Sequence, residues 1–588
     1  MKETEQAWLR PLQGNAMQQG LWGLIKHRRY SWALFRQDTT AALLVSLLLI
    51  PQSLAYALLA GLPLQTGLYA SILPAIVYAL VGSSGVLAVG PVAITSLLTF
   101  SALSPLAEPG SSEYLSLAII LALMSGVCLM LMSLLRMGFL ANFLSHPVMS
   151  GFISASALII VISQLKGVTG IPLTSGTLPQ MLASLYQGLS LWHGPTLLLG
   201  VGCMLLLYWG RRFLTPQLMA LGLAADRAQL IARMAPMLLL IGSTLLVASL
   251  RLDQQGIQIV GALPLGFPDL ALPSQLDPQQ LLLLLPLALM ISLIGFAESV
   301  AIARTFAAKR RQQVNSNREL MGLGLANLAA GFSASFPVTG GLSRSVVNYD
   351  AGAVTPVASL LTGIGMALAL LFLTGWLYYL PQALLSAVIL IAVSSLVQWR
   401  PFVQFWRYSR SDAWSWLITF AGVLLLGLEW GLLAGILASL GAWLAKNTKP
   451  HVAIVGRVPE TEHYRNTERY QVELHPQILS LRIDESLMFA NAQEVEQRVL
   501  NEISKRPEVE HVILMGSGIN HIDASGVEML EQLNQLLGEQ SIQLHLSEIK
   551  GPVLDRLKLS PLLPQLSGQL FLTQHQAMQH LLKKPESS

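Results

Sequence analysis

Long apolar runs recur along most of this 588-residue chain, and they restrict its fold more than any other feature. An α-helix needs about 20 apolar residues to cross the hydrocarbon core of a bilayer, where the backbone must satisfy its own hydrogen bonds. We predict full spans near residues 40–60, 66–82, 114–135, 139–165, 194–210, 233–250, 281–303, 316–334, 355–375, 383–398, 413–428 and 430–445. Two shorter, interrupted stretches near 91–103 and 341–353 are predicted half-helices, which brings the total to fourteen segments. The chain is therefore predicted to be a polytopic α-helical membrane protein.

Charge is distributed unevenly between this apolar part and the tail that follows it. Residues 1–449 carry 24 Lys and Arg against 14 Asp and Glu, whereas residues 450–588 carry 12 against 18, giving +10 and −6. With fourteen segments, the short loops rich in Lys and Arg all fall on one side of the membrane, which predicts that both termini are cytoplasmic. The basic positions are Lys26, Arg28, Arg29, Arg36, Arg136, Arg211, Arg212, Arg227, Arg233, Lys309, Arg310, Arg311, Arg318, Arg400, Arg407 and Arg410, and the opposite loops hold Glu108, Glu113, Asp253, Asp269 and Asp277.

Two membrane segments are broken by polar residues, glycine and proline at matching places in the two halves of the chain. The first reads "VGSSGVLAVGPVAITSLL" (81–98) and the second "SFPVTGGLSRSVVNYDAGAVTP" (335–356). A shift of 246 residues places Pro91 on Pro337 and Gln52 on Glu298. Because each half holds an odd number of segments, seven, the two halves must be inverted relative to each other. Paired broken segments in inverted halves are typical of the substrate site of a secondary transporter.

Non-helical backbone at membrane depth is tolerated only where protein buries it or where it lines a watery cavity. A half-helix that begins there presents free N–H groups and the positive end of its dipole, and both attract an anion. If the helices after Pro91 and after Gly341 start at mid-membrane from opposite sides, their N-termini face each other. The pattern predicts a small anion site between them.

Side chains near the second break support this prediction, with structural alternatives for each. Thr339, Ser343 and Ser345 offer hydroxyl groups, and Arg344 adds a positive charge that needs a partner or a water path at membrane depth. Arg344 can serve the anion, or it can pair with a carboxylate, Asp350 or Glu298.

Two polar residues of the first span and one carboxylate of the seventh full span are further candidates. Gln52 and Tyr56 lie four residues apart on one helical face, where they can line the anion pocket or bind neighbouring helices. Glu298 has apolar or small helical neighbours, so we expect it to bind and release a proton that is coupled to anion uptake. A structural hydrogen bond to the neighbouring half-helix is the alternative for Glu298.

The chain resembles the SulP family of sulfate permeases in four stretches that occur in the same order. They are "IPQSLAYALLAGLPLQTGLYASILPAIVYALVGSS" (50–84), "AVGPVAITSLL", "GFAESVAIAR" and "LSRSVVNYDAGAVTP". The resemblance implies seven plus seven inverted segments divided into a core and a gate domain, an elevator-like movement and a homodimer. It also implies a substrate site between segments 3 and 10, formed by Gln52, Tyr56, the backbone at Ala93 and Ile94, Leu342, Ser343 and Arg344, with Glu298 nearby. A similar sodium-coupled bicarbonate branch has Asp on segment 8 and a hydroxyl residue four positions later, where this chain has Glu298 and Ile302.

The tail alternates strand and helix patterns, which predicts a small α/β domain. Strands are predicted at 478–484, 510–517 and 541–549, and helices near 491–505 and 525–538. The tail resembles the STAS domain that ends SulP chains, above all at "GINHIDASGVEML", where Asp523, Ser525 and Gly526 match the loop before a helix. That helix N-terminus can bind an anion or be capped by its own side chain. Relatives phosphorylated in this loop have a hydroxyl residue directly after the Asp, whereas this chain has Ala524.

These observations predict three regions: a cytoplasmic N-terminal segment (1–38), a transport domain (39–446) and a cytoplasmic STAS domain (447–588). The expected function is sulfate uptake by proton symport, with a bicarbonate or dicarboxylate transporter, or a membrane anion sensor, as alternatives. We expect a multi-pass protein of the cell membrane, the inner membrane in a Gram-negative cell. The sequence has no Walker loop, and its histidines and cysteines lack metal-binding spacing, so we expect no enzyme activity, cofactor, metal or nucleic-acid partner.

Overall fold

The computed structural model describes residues 30–582 apart from 143–144, 175, 226–227, 229–230, 233, 264–265, 268–276 and 395. Most of the predicted N-terminal segment, and the loop residues Arg227, Arg233 and Asp269, lie outside the described residues. The chain forms two compact units, Met1–Ser439 and Leu440–Ser588.

The first unit is helical, and seven of its described helices, the last running into the second unit, are long and apolar enough to cross a membrane. Its first seven segments are α1 (Trp32–Leu59), α2 with α3 (Gln65–Tyr69, Leu73–Val81), β1 with α4 (Val89–Gly90, Ala93–Leu103), α5 (Ser112–Leu134), α6 (His146–Thr169), α8 (Gly194–Trp209) and α10 (Ala235–Leu250), with α7 (Leu178–Gly188) and α9 (Thr215–Ala220) between them. The second seven are α11 (Pro278–Lys309), α12 (Ser316–Phe332), β2 with α13 (Thr339–Gly340, Leu342–Asp350), α14 (Val357–Leu373), α15 (Gln382–Ser394), α17 (Arg410–Leu426) and α18 (Leu428–Thr448), with α16 (Arg400–Tyr408) before α17. All fourteen predicted segments are therefore present.

Several of these helices begin at polar residues that the sequence places just before an apolar run. Ser111 accepts a hydrogen bond from the backbone N–H of Tyr114 at the start of α5, at 3.1 Å. Asn315 accepts one from Arg318 N at the start of α12, also at 3.1 Å. Such N-caps satisfy backbone donors that a helix start leaves unpaired, so they fix where each span begins.

Helices from the two halves of the chain interleave in two groups. One group contains α1, α3, α4, α5, α11, α12, α13 and α14, in which α5 packs on α12 and α14 packs on α1 and α3. The other group contains α6, α8, α10, α15 and α17, in which α6 packs on α15 and α17. This division matches the core and gate domains that the resemblance implies, and below we call the two sets the core group and the gate group.

Two fully buried carboxylates tie the halves together inside the core group. Asp38 of the first half accepts bonds from Val354 N at 2.8 Å, Thr355 N at 3.1 Å and Thr355 Oγ1 at 2.6 Å. Glu319 of the second half accepts bonds from Tyr78 Oη at 2.7 Å, Ser83 N at 2.8 Å and Ser83 Oγ at 2.6 Å. Because a buried carboxylate is costly unless its acceptors are satisfied, these contacts favour one fixed arrangement of the two halves.

The second unit contains a six-stranded sheet with the strand order β4-β3-β5-β6-β7-β8. Strands β5 to β8 are parallel, and β3 is antiparallel to both β4 and β5. The strands are β3 (Val452–Arg457), β4 (Tyr464–Asn466), β5 (Ile478–Ile483), β6 (His511–Met515), β7 (Gln543–Ser547) and β8 (Leu570–Phe571), and the helices are α19 (Ala492–Ser504), α20 (Ala524–Glu539), α21 (Gly551–Leu557), α22 (Leu562–Gln565) and α23 (Gln574–Leu582). The three predicted strands and two predicted helices are confirmed, whereas the sequence analysis missed β3, β4 and β8.

Candidate anion-binding site

The two broken segments meet as a pair of short antiparallel strands inside the membrane unit. Val89 of β1 lies opposite Gly340 of β2, and Gly90 lies opposite Thr339. Helix α4 begins three residues after Gly90, and α13 begins two residues after Gly340. Segments 3 and 10 are therefore broken, as predicted, and both half-helices start next to the same strand pair.

Neither half-helix start is capped by a side chain. The N-cap of α4 is Val92 and that of α13 is Gly341, and neither makes a side-chain capping hydrogen bond. Valine and glycine carry no side-chain acceptor, so the first N–H groups of each helix keep their capacity to donate. This is the arrangement that an anion site at two helix starts requires.

The predicted equivalence of Pro91 and Pro337 is wrong in register. Pro91 follows β1, whereas Pro337 precedes β2. The strand starts at 89 and 339 are 250 residues apart and the helix starts at 93 and 342 are 249 apart, whereas the two prolines are 246 apart. Each break therefore contains a proline, but the two prolines occupy different positions relative to the strand and the helix.

Hydrogen bonds within the second half and between the two halves satisfy the backbone around the break. Gly341 N donates to Ala88 O at 3.0 Å, and Gly340 N donates to Ser299 Oγ at 2.9 Å. Ser345 Oγ accepts from Ala88 N at 3.0 Å and donates to Gly341 O at 2.8 Å. The non-helical backbone is thus held by specific partners, as its depth in the membrane demands.

Asn327 of α12 is a residue that the sequence analysis missed. Its Nδ2 donates to Val338 O and its Oδ1 accepts from Val338 N, both at 2.9 Å. The buried amide therefore satisfies the backbone just before β2. An asparagine inside a predicted apolar span was the available signal, since intramembrane polar side chains usually have a structural or functional partner.

Of the three hydroxyl groups predicted near the second break, the fold already uses two. Ser345 bonds as described above, and the Oγ1 atoms of Thr339 and Thr95 lie 3.0 Å apart, within hydrogen-bond distance. Ser343, by contrast, is exposed and lines two cavities beside the half-helix starts. Ser343 is therefore the predicted hydroxyl that faces open space.

Arg344 is buried, with 2% of its surface exposed, yet most of its guanidinium has no partner. Its Nη1 donates to Pro91 O at 2.7 Å, across the strand pair. Its Nε and Nη2 have no hydrogen-bond partner among the described residues, so neither Glu298 nor Asp350 accepts from those two atoms. Buried unpaired donors are costly, so these two atoms are candidates to donate to an acceptor that is not part of the chain.

Two cavities surround this guanidinium and contain the other predicted residues. The larger, about 940 Å³, is lined by Tyr56, Pro91, Val92, Ala93, Ile94, Glu298, Leu342, Ser343 and Arg344, among others. The smaller, about 320 Å³, is lined by Gln52, Ser343 and Arg344 and by residues of the gate group. The structure thus brings the predicted site residues together around Arg344, with Gln52 on the smaller cavity and the rest on the larger one. The Oε1 of Gln52 is buried and has no hydrogen-bond partner in the described part of the chain.

Glu298 lies on the wall of the larger cavity, in the middle of α11. It is partly buried, and its neighbours on the same wall include Ala297, Ala301 and Ile302. Arg344 lines the same cavity. A carboxylate and a cation therefore face the same cavity at the half-helix starts.

The larger cavity extends to one end of the helix bundle. Its lining continues to His146 at the start of α6, to Arg211 after α8, and to Gln398 and Gln404 around the start of α16. These positions lie at the end of the bundle where the chain carries its basic loops. The cavity connects that end with the half-helix starts.

In the second unit, Asp523 caps α20, the helix whose N-terminus is the alternative anion site in the tail. Its Oδ1 accepts from Gly526 N at 2.9 Å, and its Oδ2 accepts from Phe489 N at 2.8 Å. The carboxylate places a negative charge where an anion would have to bind. The structure therefore supports the capping interpretation of this loop.

Comparisons with known proteins agree with this architecture. The sulfate permease family model matches residues 35–419, and the STAS domain model matches residues 469–577. The chain is 35% identical over 576 residues to sulfate transporter 4.1, chloroplastic, of Arabidopsis thaliana, covering 95% of this chain and 82% of the plant protein.

Two solved structures share the fold. The murine Solute Carrier 26 family member A9 anion transporter, in the inward-facing state, matches with a TM-score of 0.82 at 23% identity, covering 93% of this chain and 91% of that one. The transmembrane domain of the cyanobacterial bicarbonate transporter BicA matches with a TM-score of 0.57 at 21% identity, covering 70% of this chain and 99% of that one. The chain therefore belongs to the sulfate permease family of membrane anion transporters and carries a C-terminal STAS domain.

Proposed function

We propose that this protein takes up sulfate by proton symport. The observation that carries the proposal is the buried Arg344, whose Nε and Nη2 lack hydrogen-bond partners among the described residues and whose guanidinium lies beside two uncapped helix starts. A dianion with several acceptor oxygens complements this group of donors. Relatives that are at least 32% identical to this chain, such as the plant protein above, are named sulfate transporters.

In this proposal, the anion is held by main-chain N–H groups and a few side chains. The N–H groups at Ala93 and Ile94 of α4, and at Leu342 and Ser343 of α13, contribute donors and the positive ends of two helix dipoles. Arg344 supplies a full positive charge, and the Ser343 hydroxyl supplies a further donor. Gln52 and Tyr56 complete the site from α1.

Glu298 is the proposed proton-coupling group. It shares the larger cavity with Arg344, so its negative charge would repel an arriving anion and compete for the guanidinium. Protonation of Glu298 removes that charge and leaves Arg344 free to bind the anion. Proton and anion binding therefore favour each other, which is the basis of symport.

The proposed movement is elevator-like. The half-helix starts, Glu298 and Arg344 all belong to the core group, and the gate group contributes the opposite wall of the cavities. Movement of the core group past a fixed gate group would carry the anion across while its ligands stay in place. Distances measured between spin labels on α12 and α17, with and without sulfate, should show two populations, and a single unchanging distance would contradict the movement.

Uptake of labelled sulfate into vesicles that contain the purified protein tests the function. We expect uptake to rise when an inward proton gradient is imposed, and unlabelled sulfate to compete for it. Bicarbonate and dicarboxylates are the competitors that test the alternative substrates. Sulfate uptake that is independent of the proton gradient would exclude symport. If the vesicles take up bicarbonate or a dicarboxylate but no sulfate, that anion is the substrate instead.

Glu298→Gln tests the coupling role. The substitution keeps the size of the side chain and makes it permanently neutral, so anion binding should persist while uptake loses its dependence on pH. Glu429→Gln is the matched control, because Glu429 lies in the first turn of α18 and lines neither cavity. A pH profile of Glu298→Gln that matches wild type would remove the coupling role.

The proposed setting is a homodimer in the cell membrane, the inner membrane if the cell is Gram-negative, with both termini in the cytoplasm. The basic loops that share one end of the bundle support this orientation. Protease accessibility of the C-terminal unit in intact cells and in inverted vesicles tests it.

A further inference from the structure

Arg211 lines both cavities from the gate group, opposite the half-helix starts. Among the described residues that line the two cavities, Arg211 and Arg344 are the Lys or Arg side chains and Glu298 is the carboxylate. The two arginines differ in their surroundings, since Arg344 is buried whereas Arg211 is exposed. An anion that comes from the basic end of the bundle therefore meets a solvated cation before a buried one.

The local backbone explains why Arg211 reaches this position. Residues Gly210–Leu214 form one turn of π-helix between α8 and α9. Pro216 lies two residues after this turn and lacks the N–H that would donate to residue 212 in an α-helix, so the regular hydrogen-bond pattern is interrupted here. A single wider turn of this kind is frequent at functional sites because it redirects the side chains that it carries.

A contact with the next gate helix holds the guanidinium at the cavity wall. Arg211 Nη1 donates to Ile391 O of α15 at 3.3 Å. Ile391 itself lines the smaller cavity. One guanidinium nitrogen is thus attached to the gate group, and the charge of the side chain remains at the cavity surface.

We propose that Arg211 forms an access subsite for small oxyanions on the basic end of the protein, through which the anion passes on its way to or from Arg344. This inference rests on the proposed function, because it concerns the path to the same site. Because Arg211 belongs to the gate group, it acts when the anion site is open to the basic end of the bundle. Its charge raises the local anion concentration by long-range attraction, and salt should screen this effect.

Arg211→Gln tests the subsite, with Arg212→Gln as the matched control. Glutamine can still donate to Ile391 O, so this variant removes the charge while keeping the contact. Arg212 is the adjacent exposed arginine and lines neither cavity. Arg211→Lys restores the charge and should restore transport kinetics.

The assay compares sulfate uptake into whole cells with uptake into inverted membrane vesicles, which present opposite faces of the protein. We expect Arg211→Gln to raise the KM about fivefold on one face only, the cytoplasmic face in the proposed orientation. The KM ratio to wild type should shrink toward 1 when potassium gluconate raises the ionic strength. Arg212→Gln should leave the KM unchanged on both faces.

Equal KM changes on both faces, or equal changes in Arg211→Gln and Arg212→Gln, would overturn the subsite. A wrong assignment of sulfate as the substrate gives a different result, because the wild-type protein itself would then take up no sulfate. In that case the same comparison is made with labelled bicarbonate, and the face-selective change in KM still decides the role of Arg211.

Discussion

Adding one methyl group at Gly341 should displace the Arg344 guanidinium and weaken anion binding. A Cβ atom at Gly341 would lie 2.7 Å from Nη2 and 2.8 Å from Nε of Arg344. Ordinary van der Waals contact begins at 3.4 Å, so the guanidinium must move by about 0.7 Å. The backbone of Gly341, with φ −98° and ψ 125°, suits alanine, so the effect comes from the side chain alone.

The shift affects the hydrogen bond that aims the guanidinium. The bond from Arg344 Nη1 to Pro91 O is 2.7 Å long, and hydrogen bonds of charged groups contribute about 1.5–3 kcal/mol. Partial loss of this bond, about 1–2 kcal/mol, corresponds to a rise of roughly 5- to 30-fold in the KM for sulfate. The same loss lowers the free energy of unfolding by about 1–2 kcal/mol, which is a small change in melting temperature for a chain of this length.

The assay is sulfate uptake by a series of glycine-to-alanine variants. At Gly90 the added Cβ would lie 3.2 Å from Arg344 Nη1, so Gly90→Ala should have a smaller effect. At Gly202 it would meet nothing within 4 Å, which makes Gly202→Ala the control. A KM for Gly341→Ala equal to that of Gly202→Ala would refute the argument that the position of Arg344 determines affinity.

Two further predictions concern the C-terminal unit. Asp523→Ala removes two hydrogen bonds of the Asp523 carboxylate and should lower the free energy of unfolding of this unit by about 1–2 kcal/mol. Hydrogen–deuterium exchange of the β6 amides should therefore become faster. Ser525→Ala should leave that exchange unchanged. Burial, followed by the charges of His511 and His580, lowers the pKa of His545 to about 4, so the folded unit binds this proton less readily than the unfolded chain does. Stability should therefore be constant above about pH 6.5 and fall as the pH drops toward 4, by at most about 3 kcal/mol. Hydrogen–deuterium exchange of the β7 amides, corrected for the intrinsic exchange rate at each pH, measures the stability of this unit. A stability that stays constant between pH 6.5 and 4.5 would contradict the prediction.

The membrane segments could be predicted from the sequence because their signal is local. A span requires a continuous apolar run, and a break requires glycine, proline or polar residues within it, so each can be seen in a window of about 20 residues. The same reasoning found Arg344, since an arginine at membrane depth is conspicuous by itself. The helical spacing of Gln52 and Tyr56 predicted that both face the same side, and each lines one of the two cavities beside Arg344.

What the sequence did not reveal depends on residues that meet from distant parts of the chain. Thr339 and Ser343 are both hydroxyl residues near one break, yet Thr339 contacts Thr95, and Ser343 faces the cavities. Their order along the chain does not determine which one finds a partner 244 residues away. The short strand β8 was missed for a similar reason, because two residues become a strand only through pairing with β7.

The candidate site includes contacts that only the two halves of the chain together can make. Pro91 O from the first half holds Arg344 from the second, and Ala88 N donates to Ser345 Oγ across the same strand pair. These contacts form because the two halves are inverted, which brings two half-helix starts together from opposite sides of the membrane. A single half has one such helix start. A half-chain would leave the buried guanidinium without Pro91 O and the backbone before β1 without its partners, at a free-energy cost that lipid cannot offset. The candidate anion site is therefore a property of the paired halves, and it should form only when both have folded against each other.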